Sequence, residues 1–111
     1  MSRRIMYLRS DNGHPVGCLA IQVNSSDRSQ VSYQLSVLNP KDQFNRSVAR
    51  QLAIGRLMEE PIKISIRHNA TMHDISEAVM EDILKYKDAP SRAIKAARLW
   101  VRQNIGMPTT G

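Results

Sequence analysis

The first third of the chain alternates between apolar and polar positions with a period of two, which is typical of β-strands. Three such segments follow one another, at residues 3–9, 16–23 and 30–38. In the third segment, every second residue from Val31 to Val37 is apolar, and serine or glutamine stands between them. Polar turns separate the segments, so the pattern predicts three consecutive antiparallel strands with short connections.

A helical period follows, and its first segment is the most distinctive stretch of the chain. Asn39 suits a helix N-cap, Pro40 suits the first helical position, and Asp42 would place a negative charge in the first turn. The pattern predicts a helix that ends near Pro61. An apolar stripe on this helix is expected to face the core: Phe44, Val48, Leu52 and Gly55. Glycine at such a position predicts that another backbone passes close by.

The remainder of the chain completes an α+β pattern. Residues 62–67 alternate as a fourth strand, Thr71 and Asp74 form a capping-box pair that begins a second helix, and Pro90 begins a third. We therefore predict a single α+β domain over residues 1–106 in the order β-β-β-α-β-α-α, with a four-stranded antiparallel sheet and helices packed on one face. Residues 107–111 are predicted to form a flexible C-terminal tail.

The second face of this sheet is predicted to be polar and basic. It would carry Ser32, Gln34, Ser36, Lys63, Ser65 and Arg67. Such a face could be solvated or could contact a partner.

Charge favours an acidic partner. The 111-residue chain has a net charge of +6 and a pI of about 10.0, which suits a nucleic acid, a nucleotide, an acidic protein or a membrane surface. The single cysteine, Cys18, excludes an internal disulfide. No apolar run approaches the roughly 20 residues that span a bilayer, and the basic N-terminus lacks the apolar region of a signal peptide. We therefore expect a cytoplasmic protein with no membrane contact.

Catalytic and metal-binding patterns are not found in the sequence. The acids are scattered over predicted helix surfaces, and neither a P-loop nor a glycine-rich dinucleotide turn is present. His68 and His73 flank one helix start, but a zinc site would need two more ligands than that region readily offers. We predict no enzymatic activity, no cofactor and no metal.

Arginines are the stronger indication of function. On the last helix, Arg98 and Arg102 lie one turn apart on the same face as Lys95. The first helix carries three more arginines: Arg46, Arg50 and Arg56. Arginine forks match phosphate geometry, so the two groups could clamp one phosphate-bearing ligand from two sides, with Trp100 stacking on a base. The alternative is that both groups belong to ordinary solvated helix faces.

The segment Asn39-Pro40-Lys41-Asp42-Gln43-Phe44 through Gly55-Arg56-Leu57 resembles small, mostly uncharacterised bacteriophage accessory proteins. Those proteins have a strand, a Lys-Asp-x-Phe start, a basic helix and a Gly-Arg-Leu end. The layout is also similar to phage anti-Thoeris proteins, which sequester cyclic nucleotide signals. That likeness implies a non-enzymatic sponge that is an oligomer and holds phosphates with arginines, for which Arg98 and Arg102 are the corresponding pair.

The function predicted is therefore sequestration of a phosphate-bearing cyclic nucleotide by a phage-type anti-defence protein. Two other functions stay open, a protein-binding inhibitor of a host enzyme and a nonspecific nucleic-acid-binding protein. A homo-oligomer, most simply a dimer, is also expected, because apolar residues recur away from the predicted core faces. These residues are Met6, Leu8, Ile54, Met58, Met80, Leu84 and Leu99.

Overall fold

The computed structural model describes residues 2–37 and 43–106, with only the backbone at residues 105 and 106. Its elements are β1 (Ser2–Arg9), β2 (Pro15–Val23), β3 (Gln30–Val37), α1 (Arg46–Glu59), β4 (Ile62–Ser65), α2 (Met72–Lys85), α3 (Ser91–Val101) and a closing π-helical turn (Arg102–Gly106). The predicted α+β class and element order are confirmed. The predicted tail, residues 107–111, lies outside the described residues.

The four strands form one antiparallel sheet in the order β1-β2-β3-β4, so each strand lies beside its neighbour in sequence. Met6 lies opposite Leu19, and Leu19 lies opposite Leu35, which places three apolar side chains in a row on one face. The fourth strand is short and pairs only with residues 30–33 of β3. Among the described residues, the second half of β3 therefore has no strand beside it on that side.

Side chains cover this exposed half of β3. The backbone N–H of Leu35 donates to Oε1 of Gln34 at 2.9 Å, and Nη1 of Arg56 donates to the Leu35 carbonyl oxygen at 3.1 Å. Nε2 of Gln34 in turn donates to the carbonyl oxygen of Glu60, just beyond α1, at 2.9 Å. Because unpaired strand edges invite pairing with other chains, these contacts satisfy the edge and hold the end of α1 against it.

One face of the sheet carries the main hydrophobic core. Large aliphatic side chains of β2 and β3 pack there against α2 and α3, whose buried residues include Ile75, Val79 and Ile83. Tyr33 is completely buried within this layer, and its hydroxyl donates to Oδ2 of Asp82 on α2 at 2.6 Å. The predicted capping box at the start of α2 is confirmed, because Thr71 and Asp74 bond reciprocally.

The other face is covered by α1, so the prediction that all helices pack on one face is wrong. Cys18 and Ala20 of β2 meet Ala49, Ala53 and Leu57 of α1 in a second, smaller cluster. Small side chains on both elements let the helix lie close to the sheet.

Burial under α1 also contradicts the predicted polar face. Ser32, Gln34 and Ser36 are all buried, and the Ser36 hydroxyl donates to the carbonyl oxygen of Ala49 at 2.8 Å. A serine can therefore be buried under a helix when a backbone carbonyl oxygen accepts a hydrogen bond from its hydroxyl group. Three members of the predicted face do stay exposed: Lys63, Ser65 and Arg67.

The start and the apolar stripe of α1 also differ from prediction. Residues 43–45 are not helical, and Asn45 is the N-cap, with its side-chain oxygen accepting from the backbone N–H of Val48 at 3.1 Å. The proposed start at Asn39, Pro40 and Asp42 lies outside the described residues. Val48 and Leu52 are each 45% exposed. The helix is rotated relative to prediction because alanines fit closer to the sheet than branched side chains.

Candidate anion-binding site

The last helix divides sharply into a buried and a basic side. Ala93, Ala96 and Ala97 face the core. At 100° per residue, Lys95 and Arg98 fall on the opposite side, and Arg102 continues that side into the π-helical turn. All three basic side chains are exposed. The sequence prediction that they share one face is consistent with this burial pattern.

A cleft of about 400 Å³ lies along this basic side. One wall is formed by α3 and the turn after it, through Arg92, Lys95, Arg98, Leu99 and Arg102. The other wall comes from the turn between β1 and β2, through Ser10 and Asp11, and from Val16 at the start of β2. The site therefore brings together residues more than ninety positions apart in the sequence, Ser10 and Arg102, which no local pattern could have indicated.

The turn that forms the second wall is held by its own hydrogen bonds. The backbone N–H of Ser10 donates to the carbonyl oxygen of His14 at 2.9 Å, and that of Gly13 donates to the carbonyl oxygen of Ser10 at 2.9 Å. Gly13 has a positive φ of 85°, which glycine adopts readily. Nη1 of Arg9 donates to the Gly13 carbonyl oxygen at 2.9 Å. The wall facing α3 is thus a preformed surface.

The electrostatics of the cleft favour an anion. Among the described residues, four cationic side chains line it, against one carboxylate, Asp11. Among the residues that the structure describes, Lys95, Arg98 and Arg102 take no part in an ion pair, and the pairs of Arg67 with Asp74 and His68 with Asp27 lie elsewhere. Lys95, Arg98 and Arg102 therefore keep donors available for phosphate or carboxylate oxygens.

Trp100 lies in a neighbouring cavity of about 440 Å³ between β1 and α3. The two cavities share Ser10, Asp11 and Leu99 in their linings. The indole is half-buried, and its ring centroid lies 5.9 Å from that of His73. Trp100 is therefore adjacent to the basic cleft, separated from it by Leu99.

The arginines of α1 do not join the cleft. Arg46 lies over the ring of Tyr7, 5.0 Å from its centroid, and Arg50 is exposed on the same helix. Because α1 covers the face of the sheet opposite α3, the two arginine groups do not meet within one chain to form the predicted two-sided clamp. Arg56 is engaged with the β3 edge, through the bond to Leu35 described above.

Sequence reasoning missed the residues that the hairpin contributes, Ser10, Asp11 and Val16. Their only local signal is the Asp11-Asn12-Gly13 turn, which predicts a reversal of the chain but not its position over α3. In the part of the chain that the structure describes, no three histidine, cysteine, aspartate or glutamate side chains gather into a possible metal site.

No protein-family model, curated protein or solved structure matches this chain. Among the described residues, no helix combines the length and the apolar character needed to cross a membrane.

Proposed function

We propose that this chain binds a phosphate-bearing nucleotide in the basic cleft and releases it chemically unchanged. The observation that carries the proposal is the convergence of four cationic side chains, with one acid, on a cleft of about 400 Å³. That volume lies within the range of about 300–1,000 Å³ that is usual for small-molecule sites. In this proposal Arg98 and Arg102 are the principal phosphate ligands, and Lys95 adds a third positive charge.

Trp100 supports a nucleotide over a free phosphate. A ligand whose phosphate sits beside Arg98 can extend across Leu99 into the neighbouring cavity, where the indole offers an aromatic surface to a base. The described residues that line the cleft include no histidine or cysteine and only one carboxylate. That set suits binding better than acid–base or nucleophilic chemistry, which use paired groups.

The resemblance to phage accessory proteins supports the biological role that we propose, which is sequestration of a cyclic nucleotide signal in the host cytosol. Such a protein acts by stoichiometric binding, so its affinity for the ligand must be high and no turnover is needed.

Calorimetry and thermal shift against cyclic dinucleotides and cyclic ADP-ribose isomers test the proposal. We expect at least one ligand to bind and raise the melting temperature. Arg98→Ala should then weaken binding by about 1.5–3 kcal/mol, or about 10- to 150-fold, because a charge-assisted hydrogen bond is lost. Arg46→Ala on α1 is the matched control and should bind normally. Chromatography of the recovered ligand should return it intact.

Failure of every nucleotide to stabilise the protein would contradict the proposal. A nucleic-acid-binding function gives a different result, since affinity for an oligonucleotide would fall steeply with salt as counterions are released. Ligand conversion during the incubation would contradict the non-enzymatic part of the proposal alone.

We also propose that the chain forms a homodimer, but through a different surface from the one first predicted. Leu8 and Met80 are buried in the core, so they cannot belong to the predicted interface. The large apolar side chains that stay exposed among the described residues lie on α1: Val48, Leu52 and Met58. A dimer through α1 would keep the two α3 clefts apart, so each would bind its own ligand. Light scattering at micromolar concentration tests this, and a mass near the monomer value of 12.6 kDa would contradict it.

A further inference from the structure

The first strand borders an open groove that the proposed nucleotide site does not use in full. It lies at the end of the sheet order, so one of its edges has no strand partner among the described residues. The cavity of about 440 Å³ is lined by every residue from Ile5 to Asp11. Side chains of a strand alternate between faces, so a cavity that touches consecutive residues runs along the backbone edge.

Backbone groups of β1 are available in this groove. Leu35 directs its N–H and C=O away from β2, toward Gln34 and Arg56. In an antiparallel ladder, the backbone groups of two paired residues either bond to each other or both point away from each other. Leu19, which is paired with Leu35, therefore points its N–H and C=O toward β1. Met6, which is paired with Leu19, points its N–H and C=O toward β2. Ile5 and Tyr7, on either side of Met6, therefore point their N–H and C=O groups outward.

The opposite wall of the groove comes mainly from α3 and is mostly apolar. Ala96, Leu99 and Trp100 lie there with Met80 of α2 behind them. Gln103 and Asn104 add amide groups at the end of the wall. A groove between an open strand edge and an apolar helix is the geometry in which an extended peptide adds to a sheet, with main-chain bonds for affinity and alternate side chains for specificity.

Charge indicates what kind of strand fits. The same hairpin turn and Leu99 that close one end of the groove also line the basic cleft, so a strand that leaves the groove there enters a region of four cations. Arg3 and Arg4 are exposed toward the other end of β1. A second copy of β1 fits poorly, because the charged residues of this strand are all arginines (Arg3, Arg4 and Arg9), so pairing two copies brings only like charges together, which is destabilising.

We infer that this groove binds an extended peptide of a partner protein, antiparallel to β1, with acidic residues at the peptide's amino-terminal end. Antiparallel addition continues the arrangement of the whole sheet. It sets the amino-terminal end of the peptide beside the hairpin turn, where its carboxylates reach Arg98 and Arg102. The four residues from Ile5 to Leu8, before the irregularity of the strand at Arg9, offer about 13 Å of regular edge, which is enough for about four residues of the peptide.

Trp100 is the single tryptophan of the chain, so its emission reports directly on this groove. The probe is an acetylated, amidated ten-residue peptide with three aspartates followed by alternating valine and threonine. We expect a saturable blue shift of Trp100 emission on titration. A peptide with lysines in place of the aspartates should bind at least about tenfold more weakly, because it loses charge-assisted contacts in the cleft.

Two N-methylated versions of the probe identify strand addition. One carries N-methyl groups on the odd residues of its alternating segment, and the other carries them on the even residues. Only alternate N–H groups of an added strand face the sheet, so one version should lose binding by about tenfold or more and the other should retain it. Equal affinities of the two versions would overturn the inference, as would the absence of any change in Trp100 emission.

On the protein side, Ile5→Pro removes one outward N–H and should abolish binding of the probe, while Ile5→Val keeps the N–H and should bind normally. Arg98→Ala should weaken binding of the aspartate probe but not of a version with three serines in place of the aspartates. A doubling of mass without peptide that Ile5→Pro reverses would show that the edge pairs with a second copy, and would overturn the inference. Because the N-methylated probes leave the protein unaltered, the test holds even if Ile5→Pro does not fold.

Discussion

The two faces of the sheet are built from different kinds of side chain and respond to different forces. The face under α2 and α3 carries leucine, isoleucine, valine and the buried Tyr33. The face under α1 carries cysteine, alanine and serine, and there the helix contributes Ala49, Ala53 and Leu57. The first face gains stability from apolar area removed from water, whereas the second depends on close approach and on hydrogen bonds such as that of Ser36. We therefore expect loss of side-chain volume to be most destabilising on the first face and gain of side-chain volume to be most destabilising on the second.

Loss of volume should be most damaging on the aliphatic face. Ile21 has no exposed surface and lies opposite Tyr33 in that layer. Ile21→Ala should lower the free energy of unfolding by about 2–5 kcal/mol, since it removes buried methyl groups and leaves a cavity. Urea unfolding followed by circular dichroism measures it. Glu81→Ala on the exposed side of α2 is the control and should change stability by less than about 0.5 kcal/mol. A similar small change for Ile21→Ala would show that this face is loosely packed.

Gain of volume should be most damaging on the small-residue face. Ala53 is completely buried between α1 and the sheet. Ala53→Leu should destabilise the protein by about 1–3 kcal/mol, because the added carbons force the helix away from β2 and β3. Gln51→Leu adds a leucine two positions earlier on the exposed side of the helix, and should leave unfolding nearly unchanged. If Ala53→Leu were neutral, close approach would not be what holds α1 in place.

These differences explain which parts of the fold could be read from the sequence. The alternation from Val31 to Val37 marks large apolar side chains, and the Thr71–Asp74 capping box marks a helix start, so the sheet and α2 follow from local patterns. The side of α1 that packs on the sheet could not be predicted from the sequence in the same way. Alanine gives a weak apolar signal, so Val48 and Leu52 dominate the helical pattern although they are half-exposed.

The candidate site was predictable to a similar extent. The 3.6-residue period places Lys95, Arg98 and Arg102 on one side of a helix, and burial of the alanines on the other side agrees with it. The second wall depends on where the hairpin turn of Ser10 and Asp11 comes to lie, which tertiary packing decides. The open edge of β1 depends on strand order, which the meander pattern predicted.

Alkaline titration distinguishes the two faces through one buried acid on each. Burial raises the pKa of the Cys18 thiol above its usual 9.0, although Arg50 opposes this. Burial, followed by the hydrogen bond to Asp82, raises the pKa of the Tyr33 phenol well above its usual 10.0. In both cases the folded state holds its proton at a pH where the unfolded chain has released it. Stability is therefore fully present below each usual pKa and falls as the pH rises above it.

We expect stability to begin to fall near pH 9 through Cys18 and to fall further above pH 10 through Tyr33, each at up to about 1.4 kcal/mol per pH unit. Urea unfolding between pH 7 and pH 11 in the presence of a reductant measures the slope. Cys18→Ala should remove the first part of the decline, and Tyr33→Phe should remove part of the second. A decline that neither variant changes would show that both groups ionise freely in the folded protein.

The smallest expected effect lies on the outer side of α1, at Gly55. The sequence predicts that a second backbone passes close to this glycine, but among the described residues no atom outside the adjacent turns of its own helix lies within 4 Å of the position that a Cβ would occupy. Within one chain, Gly55→Ala therefore adds a methyl group into open space and lowers the entropy of the unfolded chain. We expect a stability gain of about 0.5–1 kcal/mol, measured as a higher melting temperature. Light scattering on the same samples tests the alternative that a second copy of the chain packs against Gly55. A lower melting temperature together with a fall in mass would show that a second copy packs against Gly55, so that the glycine serves the dimer surface of α1 rather than the fold of one chain.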